Sequence, residues 1–201
     1  MVIENSLDVA IKKFKILIVG DPDVATTFFS DTKTDELQTT SITKIKAREI
    51  NIQDMRFELW YCHEMENDEE EKRNAFEEAS GVIALFNKGE ETSFSYIPHC
   101  ISEVVKYSGR MLPTFALGLS RENVLETVSK ENVLDYLYSL GNVSACMIPY
   151  VELNSPNFVN VEEVLIDLVK IINCDKIDNC FAKPAILRGN CGLKQFDIKN
   201  D

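Results

Sequence analysis

No apolar run in this 201-residue chain approaches the ~20 residues that cross a bilayer, so a membrane-spanning helix is not expected. The first residues, Met1-Val2-Ile3-Glu4-Asn5, offer neither a basic, hydrophobic leader nor the glycine that N-myristoylation uses, and a cytoplasmic protein is expected. None of the six cysteines, Cys62, Cys100, Cys146, Cys174, Cys180 and Cys191, belongs to a C-x-x-C pair. With no export signal they read as reduced thiols rather than a disulfide framework. Basic residues are outnumbered, 21 against 33 acidic, and the formal net charge of -12 works against unassisted binding to nucleic acid or an anionic membrane surface. A basic or neutral protein surface is the better-matched partner. There is no internal repeat and no low-complexity segment.

What the chain does have is a composition that supports one well-buried core, 45% hydrophobic and 27% charged. Phe14-Lys15-Ile16-Leu17-Ile18-Val19-Gly20 is a nearly all-apolar run ending in glycine, as in a strand buried on both faces of a parallel sheet, and it is expected to feed a loop. Residues Ile42 to Ile52 and Met55 to Tyr61 alternate β-branched or aromatic with polar side chains around Gln53-Asp54, which predicts an antiparallel hairpin with Met55, Phe57, Leu59 and Tyr61 on one face. Glu64 to Glu78 reads as a solvated helix or ordered loop.

Farther along, Gly81 to Phe86 is a second buried strand, and a helix with Ile97, Ile101, Val104 and Val105 follows Thr92-Ser93. Pro98 makes that helix start late or kink. Leu112 to Gly118 gives another strand. Ser129 caps a helix carrying Val133, Leu134, Leu137 and Leu140, which Gly141-Asn142 is expected to stop, and the last strand runs from Cys146 to Val151. Asn160 with Glu163 resembles a capping box, opening a final helix with Val161, Val164, Leu165, Leu168, Val169 and Ile172 as its buried stripe. Strands alternating with helices, apart from one early hairpin, predict a doubly wound α/β sheet with its crevice at the carboxyl ends of the strands. Beyond Asn173 the periodicity fades, and the tail is expected to be extended or to fold on a neighbour.

Four signatures, in order, resemble small GTPases of the Ras superfamily, Rab-like members above all: Phe14 to Asp21, Leu59-Trp60, Thr92-Ser93-Phe94, and Asn160-Val161-Glu162-Glu163-Val164. The resemblance implies a Ras-like G domain of the P-loop NTPase fold over residues 14–173. It would be a mostly parallel six-stranded sheet with one antiparallel hairpin strand, flanked by an extension, 1–13, and a tail, 174–201.

The family's nucleotide motifs are where the resemblance breaks. A phosphate loop uses G-x-x-x-x-G-K-[ST], whose glycines let backbone N–H groups close around phosphates and whose lysine neutralises them. Here the stretch is Gly20-Asp21-Pro22-Asp23-Val24-Ala25-Thr26-Thr27: Ala25 replaces glycine, Thr26 replaces lysine, Asp23 adds a carboxylate, and Thr27 alone keeps the Mg²⁺-binding hydroxyl. In place of Asp-x-x-Gly-Gln the chain has Tyr61-Cys62-His63-Glu64-Met65, and the base-reading Asn-Lys-x-Asp has become Leu119-Ser120-Arg121-Glu122, with Glu122 the remaining carboxylate. The supporting Ser-Ala-Lys turn is replaced by Asn154-Ser155-Pro156. Gly20, Asp23, Ala25, Thr26, Thr27 and Glu122 thus form a vestigial nucleotide site. The expected function is a pseudo-GTPase, not an enzyme, working without cofactor as a protein-interaction scaffold or adaptor in a trafficking, ciliary or signalling assembly.

A divergent switch that still binds GTP or GDP with Mg²⁺ is the alternative. The acidic stretch Glu64, Glu66, Asp68 and Glu69, with Met65 and Trp60 as apolar anchors, is either a docking surface for protein subunits or effectors, or a solvated helix face with Trp60 in the core. Cys62-His63 and His99-Cys100 lack zinc-site spacing, and His63 has no partner set for catalysis. The chain ends Phe196-Asp197-Ile198-Lys199-Asn200-Asp201, without the cysteines that prenylation would need, so no direct lipid anchor is expected.

Overall fold

The computed structural model describes residues 11–31, 37–39, 45–62, 69–121, 123–144, 148–154, 161–173 and 186–187. In chain order the elements are β1 (Lys12–Gly20), α1 (Pro22–Asp31), β2 (Leu37–Thr39), β3 (Ile45–Ile52), β4 (Met55–Cys62), α2 (Glu69–Glu77), β5 (Gly81–Asn87), α3 (Glu91–Ser95), α4 (Ile97–Ser108), β6 (Thr114–Ser120), α5 (Lys130–Ser144), β7 (Tyr150–Asn154), α6 (Val161–Ile172) and β8 (Ile186–Leu187). Six strands form the body of one sheet in the order β3-β4-β1-β5-β6-β7, and the short β2 and β8 extend it at its two edges. The pairs β1/β4, β1/β5, β5/β6, β6/β7 and β7/β8 are parallel, whereas β2/β3 and β3/β4 are antiparallel. This is the doubly wound sheet with an antiparallel edge that the alternation of patterns predicts.

Each long strand earns its place through the face it buries. In β1, Phe14, Ile16 and Ile18 enter one core layer and Leu17 and Val19 the other, because successive side chains point to opposite faces. The first layer lies under α1 and α6, which contribute Val24, Ala25 and Phe28, and Val161, Val164, Leu165 and Leu168. The second lies under α2, α4 and α5, with Ala75 and Phe76, Ile97, Ile101 and Val104, and Val133 and Leu137. The hairpin turns at Gln53-Asp54, where Ile52 pairs with Met55 and Gln53 takes a positive φ of 57°. Phe57, Leu59 and Tyr61 are buried on the α1/α6 side, with Met55 packed at its edge.

Pro98 sits in the first turn of α4, where its missing N–H has no helical acceptor to lose. The helix therefore starts late, after the separate short α3. Gly109 ends α4 in the left-handed conformation, φ 70°, and its N–H donates to the Val105 carbonyl.

Three expectations need correction. The chain after β1 is helix and not loop, for reasons given below. Helix α5 runs through Gly141-Asn142 to Ser144, since glycine weakens a helix by about 1 kcal/mol but does not oblige it to end. Strand β7 runs Tyr150–Asn154, not through Ile148 and Pro149, the latter having no N–H to give a ladder, and Cys146 lies outside the described residues. Within the tail, Ile186 and Leu187 are extended, as expected, and pair with Tyr150 and Val151 at the edge of β7, while 174–185 and 188–201 lie outside the described residues.

Candidate functional site

The sheet's switch point lies between β1 and β5, whose onward connections leave to opposite sides, and ligands of open α/β sheets bind at the carboxyl ends there. Gly20 closes β1 at this point with φ 122°, and a Cβ on it would fall 2.0 Å from the Leu85 carbonyl oxygen of β5. Only glycine accommodates both the backbone angle and the approach. The Asp21 N–H then donates to that same Leu85 oxygen at 3.3 Å.

Helix α1 begins at the next residue. Pro22 suits a first helical position because its φ is already near the helical value. The Asp21 side chain caps the turn: its Oδ1 accepts from the N–H groups of Asp23, 2.9 Å, and Val24, 3.0 Å. The Asp21 carbonyl accepts from the Ala25 N–H at 2.9 Å, the first regular helical bond. Val24, Ala25 and Phe28 recur on one face and are at most 1% exposed, so burial holds the segment in place as helix. A glycine-rich loop has neither this cap nor this apolar face, which is why a loop template misreads the segment.

Of the residues read as a vestigial nucleotide site, Gly20, Asp23, Ala25, Thr26 and Thr27 thus lie at the end of β1 and in the first turns of α1. Ala25 is core. Asp23 and Thr26 are exposed, and the Thr27 hydroxyl donates back to the Asp23 carbonyl at 2.9 Å. Glu122 lies outside the described residues. At the end of β6, Leu119 is buried in the core and Ser120 donates its hydroxyl to Glu126 at 2.6 Å.

Of the residues read as a partner surface, Glu64, Met65, Glu66 and Asp68 lie outside the described residues, as does His63. Trp60 is half-buried at the edge of the second core layer, with the Lys15 ammonium 4.1 Å from its ring centroid. Glu69 is exposed at the start of α2 and pairs with Lys106 of α4 at 3.0 Å, which holds its carboxyl below the usual range. A second bridge, Lys72 to Glu103 at 3.1 Å, joins the same two helices. Ala75, Phe76 and Ala79 anchor this helix end in the core.

Cys100 of α4 is packed toward β1. Burial pushes its thiol up to about 12, only partly offset by the Gly20 backbone. Tyr136 of α5 packs edge-on against Phe94, and burial raises its hydroxyl above the ordinary value.

Two residues at this edge carry more than their sequence context signals. Asp21 could have been found, since Asp immediately before Pro is a helix-start pattern. Lys88 could not: it follows the apolar strand Gly81–Asn87 as an unremarked charge, and one of its partners, Glu152, is 64 residues away. Its ammonium contacts Glu126 at 2.7 Å and Glu152 at 3.1 Å while the side chain is 4% exposed.

A mostly parallel sheet wound in this order, with a hairpin edge and a glycine at the switch point, defines the class as a Ras-like G-domain fold. The relatives agree with that class. The chain is 28% identical over 166 residues to the Ras-related protein RabY of Dictyostelium discoideum, covering 78% of this chain and 68% of RabY. It is 25% identical over 167 residues to the Ras-related protein Rab-1D of the same organism, covering 79% of each. It is 22% identical over 176 residues to the GTP-binding protein ypt1 of Schizosaccharomyces pombe, covering 84% of each. No family model matches the chain. These likenesses support a place in the Ras/Rab-like small GTPase superfamily.

Proposed function

We propose that this chain is a pseudo-GTPase: a G-domain scaffold that works without nucleotide or Mg²⁺ and without turnover, by binding other protein subunits or effectors. The observation that carries the reading is the helical start at Pro22. Phosphate binding at a helix N-terminus depends on free first-turn N–H groups, and those of Asp23 and Val24 are already bonded to the Asp21 carboxylate. A polyphosphate would have to displace that carboxylate and then sit beside Asp21 and Asp23, with Thr26 where a lysine would neutralise it. The residues present do not fit the group: the Thr27 hydroxyl that would meet Mg²⁺ is turned to its own helix, and the segment has no second glycine.

A cytoplasmic trafficking, ciliary or signalling assembly is the setting that suits a Rab-like fold with this charge. Its partner would meet the switch-equivalent surface, from Trp60 through Glu64, Met65, Glu66, Asp68 and Glu69. Among the described residues no helix is long and apolar enough to cross a membrane.

Isothermal titration of the full chain with GTP and with GDP, each with Mg²⁺, tests the proposal. No heat of binding is expected, and micromolar or tighter affinity dependent on Mg²⁺ would overturn it. The second reading, a divergent GTP-binding switch, draws on the relatives, one of which is itself named a GTP-binding protein. Guanine nucleotide co-purifying with the chain from its native source would favour that reading.

A further inference from the structure

Two connecting segments and a strand meet toward the carboxyl edge of the sheet, those after β5 and β6 and β7 itself, and Lys88 touches all of them. Its N–H donates to the Leu119 carbonyl of β6 at 2.8 Å. Its carbonyl accepts from Thr127 and Val128, at 2.9 and 3.0 Å, in the segment leading to α5. Its ammonium reaches Glu126 of that same segment and Glu152 of β7. Around this cation the partners are themselves fixed. Ser120 donates to Glu126 at 2.6 Å, and the Tyr150 hydroxyl donates to Glu152 at 3.2 Å. Gly118 makes room for that tyrosine, since a Cβ there would fall 2.6 Å from its hydroxyl oxygen.

We infer that Lys88 is a built-in clamp that holds the turn after β5 and the segment after β6 against strand β7 in one arrangement without a ligand, and so fixes the segment 123–128 whose tip carries the exposed Val124 and Leu125. The inference deepens the reading of a nucleotide-independent scaffold and rests on it for its purpose, although not for its geometry. In an open α/β sheet ligands bind outside the carboxyl ends of the strands, the edge from which these segments leave. Here a buried cation joins two partly exposed carboxylates, and removing it takes away the one charge that both of them share. Asn123, at φ 64°, and the Val124 N–H bonded to the Arg121 carbonyl give the tip its turn, but neither ties it to the sheet.

Hydrogen exchange of the full chain, wild type against Lys88→Met, tests this. The amides of Thr127 and Val128 are the reporters, because the acceptor they use is the Lys88 backbone carbonyl, which the substitution retains. Faster exchange there therefore reads loop opening and not a deleted acceptor. Acceleration of roughly tenfold or more at these two amides is expected, with the β1 and β4 amides unchanged. Rates equal to wild type would overturn the clamp.

Should Lys88→Met not fold, Glu126→Gln removes the charge of the partner nearer the surface and leaves Glu152 in place. It is expected to accelerate the same two amides by a smaller factor, and unchanged rates in that variant would equally overturn the clamp. Titration of the wild-type chain with GTP and Mg²⁺ separates the two ideas. Binding would sink the nucleotide-independent reading, and the exchange rates would still decide the clamp.

Discussion

The Asp21 carboxylate lies 3.0 Å from the Val24 amide nitrogen and accepts a hydrogen bond from its N–H, which makes a side chain of the protein the ligand of its own α1 N-terminus. Asp21→Ala should uncap the helix. A lost N-cap costs about 0.5 to 2 kcal/mol, and in a chain of this size ~1 kcal/mol lowers Tm by roughly 2 to 4 °C. Asp21→Asn, whose amide oxygen still caps, should stay close to wild type. Thermal melts of the two variants side by side check this, and equal Tm losses would mean that the cap contributes nothing.

Gly20→Ala should be much worse. The added methyl would meet the Leu85 carbonyl at 2.0 Å, on a residue whose φ of 122° alanine rarely adopts. Backbone strain and the displaced β1/β5 pairing together should remove about 2 to 4 kcal/mol, to be read as a fall in the urea midpoint with little change in slope. Gly109, also at positive φ, has nothing within 4 Å of its would-be Cβ, so Gly109→Ala should lose only the conformational part, about 1 kcal/mol.

The Lys88 cluster gives stability a definite dependence on pH. Hydrogen bonds from Lys88 and then Ser120 hold the Glu126 carboxyl below its ordinary value of 4.5. Its contribution is therefore fully present above the unfolded-state value and is lost as pH falls through the lower folded value. Lys88 behaves in the opposite sense. Burial opposes its charge, but Glu126 and Glu152 more than offset that and raise it above 10.5. Its contribution is present below the unfolded value and lost only as strong alkali passes the folded one. Urea midpoints measured from pH 7 down to pH 3 should fall for wild type, and fall less for Glu126→Gln, which has no carboxylate to protonate at that position. Parallel acid limbs for the two proteins would contradict this assignment.

How far the sequence could be read depended on whether an element's partners were near in the chain or periodic within it. The β1 run from Phe14 to Val19, the hairpin face of Phe57, Leu59 and Tyr61, the late start imposed by Pro98 and the α6 stripe are all local patterns, and the fold follows them. The first helix was obscured by the family template, which expects a loop after Gly20. The local signals there, Asp before Pro and then Val24, Ala25 and Phe28 on one face, point to helix when taken alone. Lys88 was illegible for a different reason. A charge after an apolar strand is ordinarily solvated, and only the fold brings Glu126 and Glu152 to it. Trp60 lies between the two readings open for it, half-buried against the core and stacked beneath Lys15.

On the reading proposed above, writing the G-K pair into the first motif should add no nucleotide binding. Ala25→Gly with Thr26→Lys would rebuild the G-K pair in sequence, yet both positions lie inside a helix already begun at Pro22 and capped by Asp21. Ala25 is fully buried, so its replacement forfeits a packed methyl and adds glycine's helix penalty, together about 1 to 2 kcal/mol. The new lysine would extend from an exposed position on the helix, not toward a cradle of amides. The double variant is thus expected to melt earlier and to gain no heat of binding with GTP and Mg²⁺. Tight binding by that variant would mean that the two side chains alone, rather than the closed backbone around Asp21, separate this chain from a working phosphate loop.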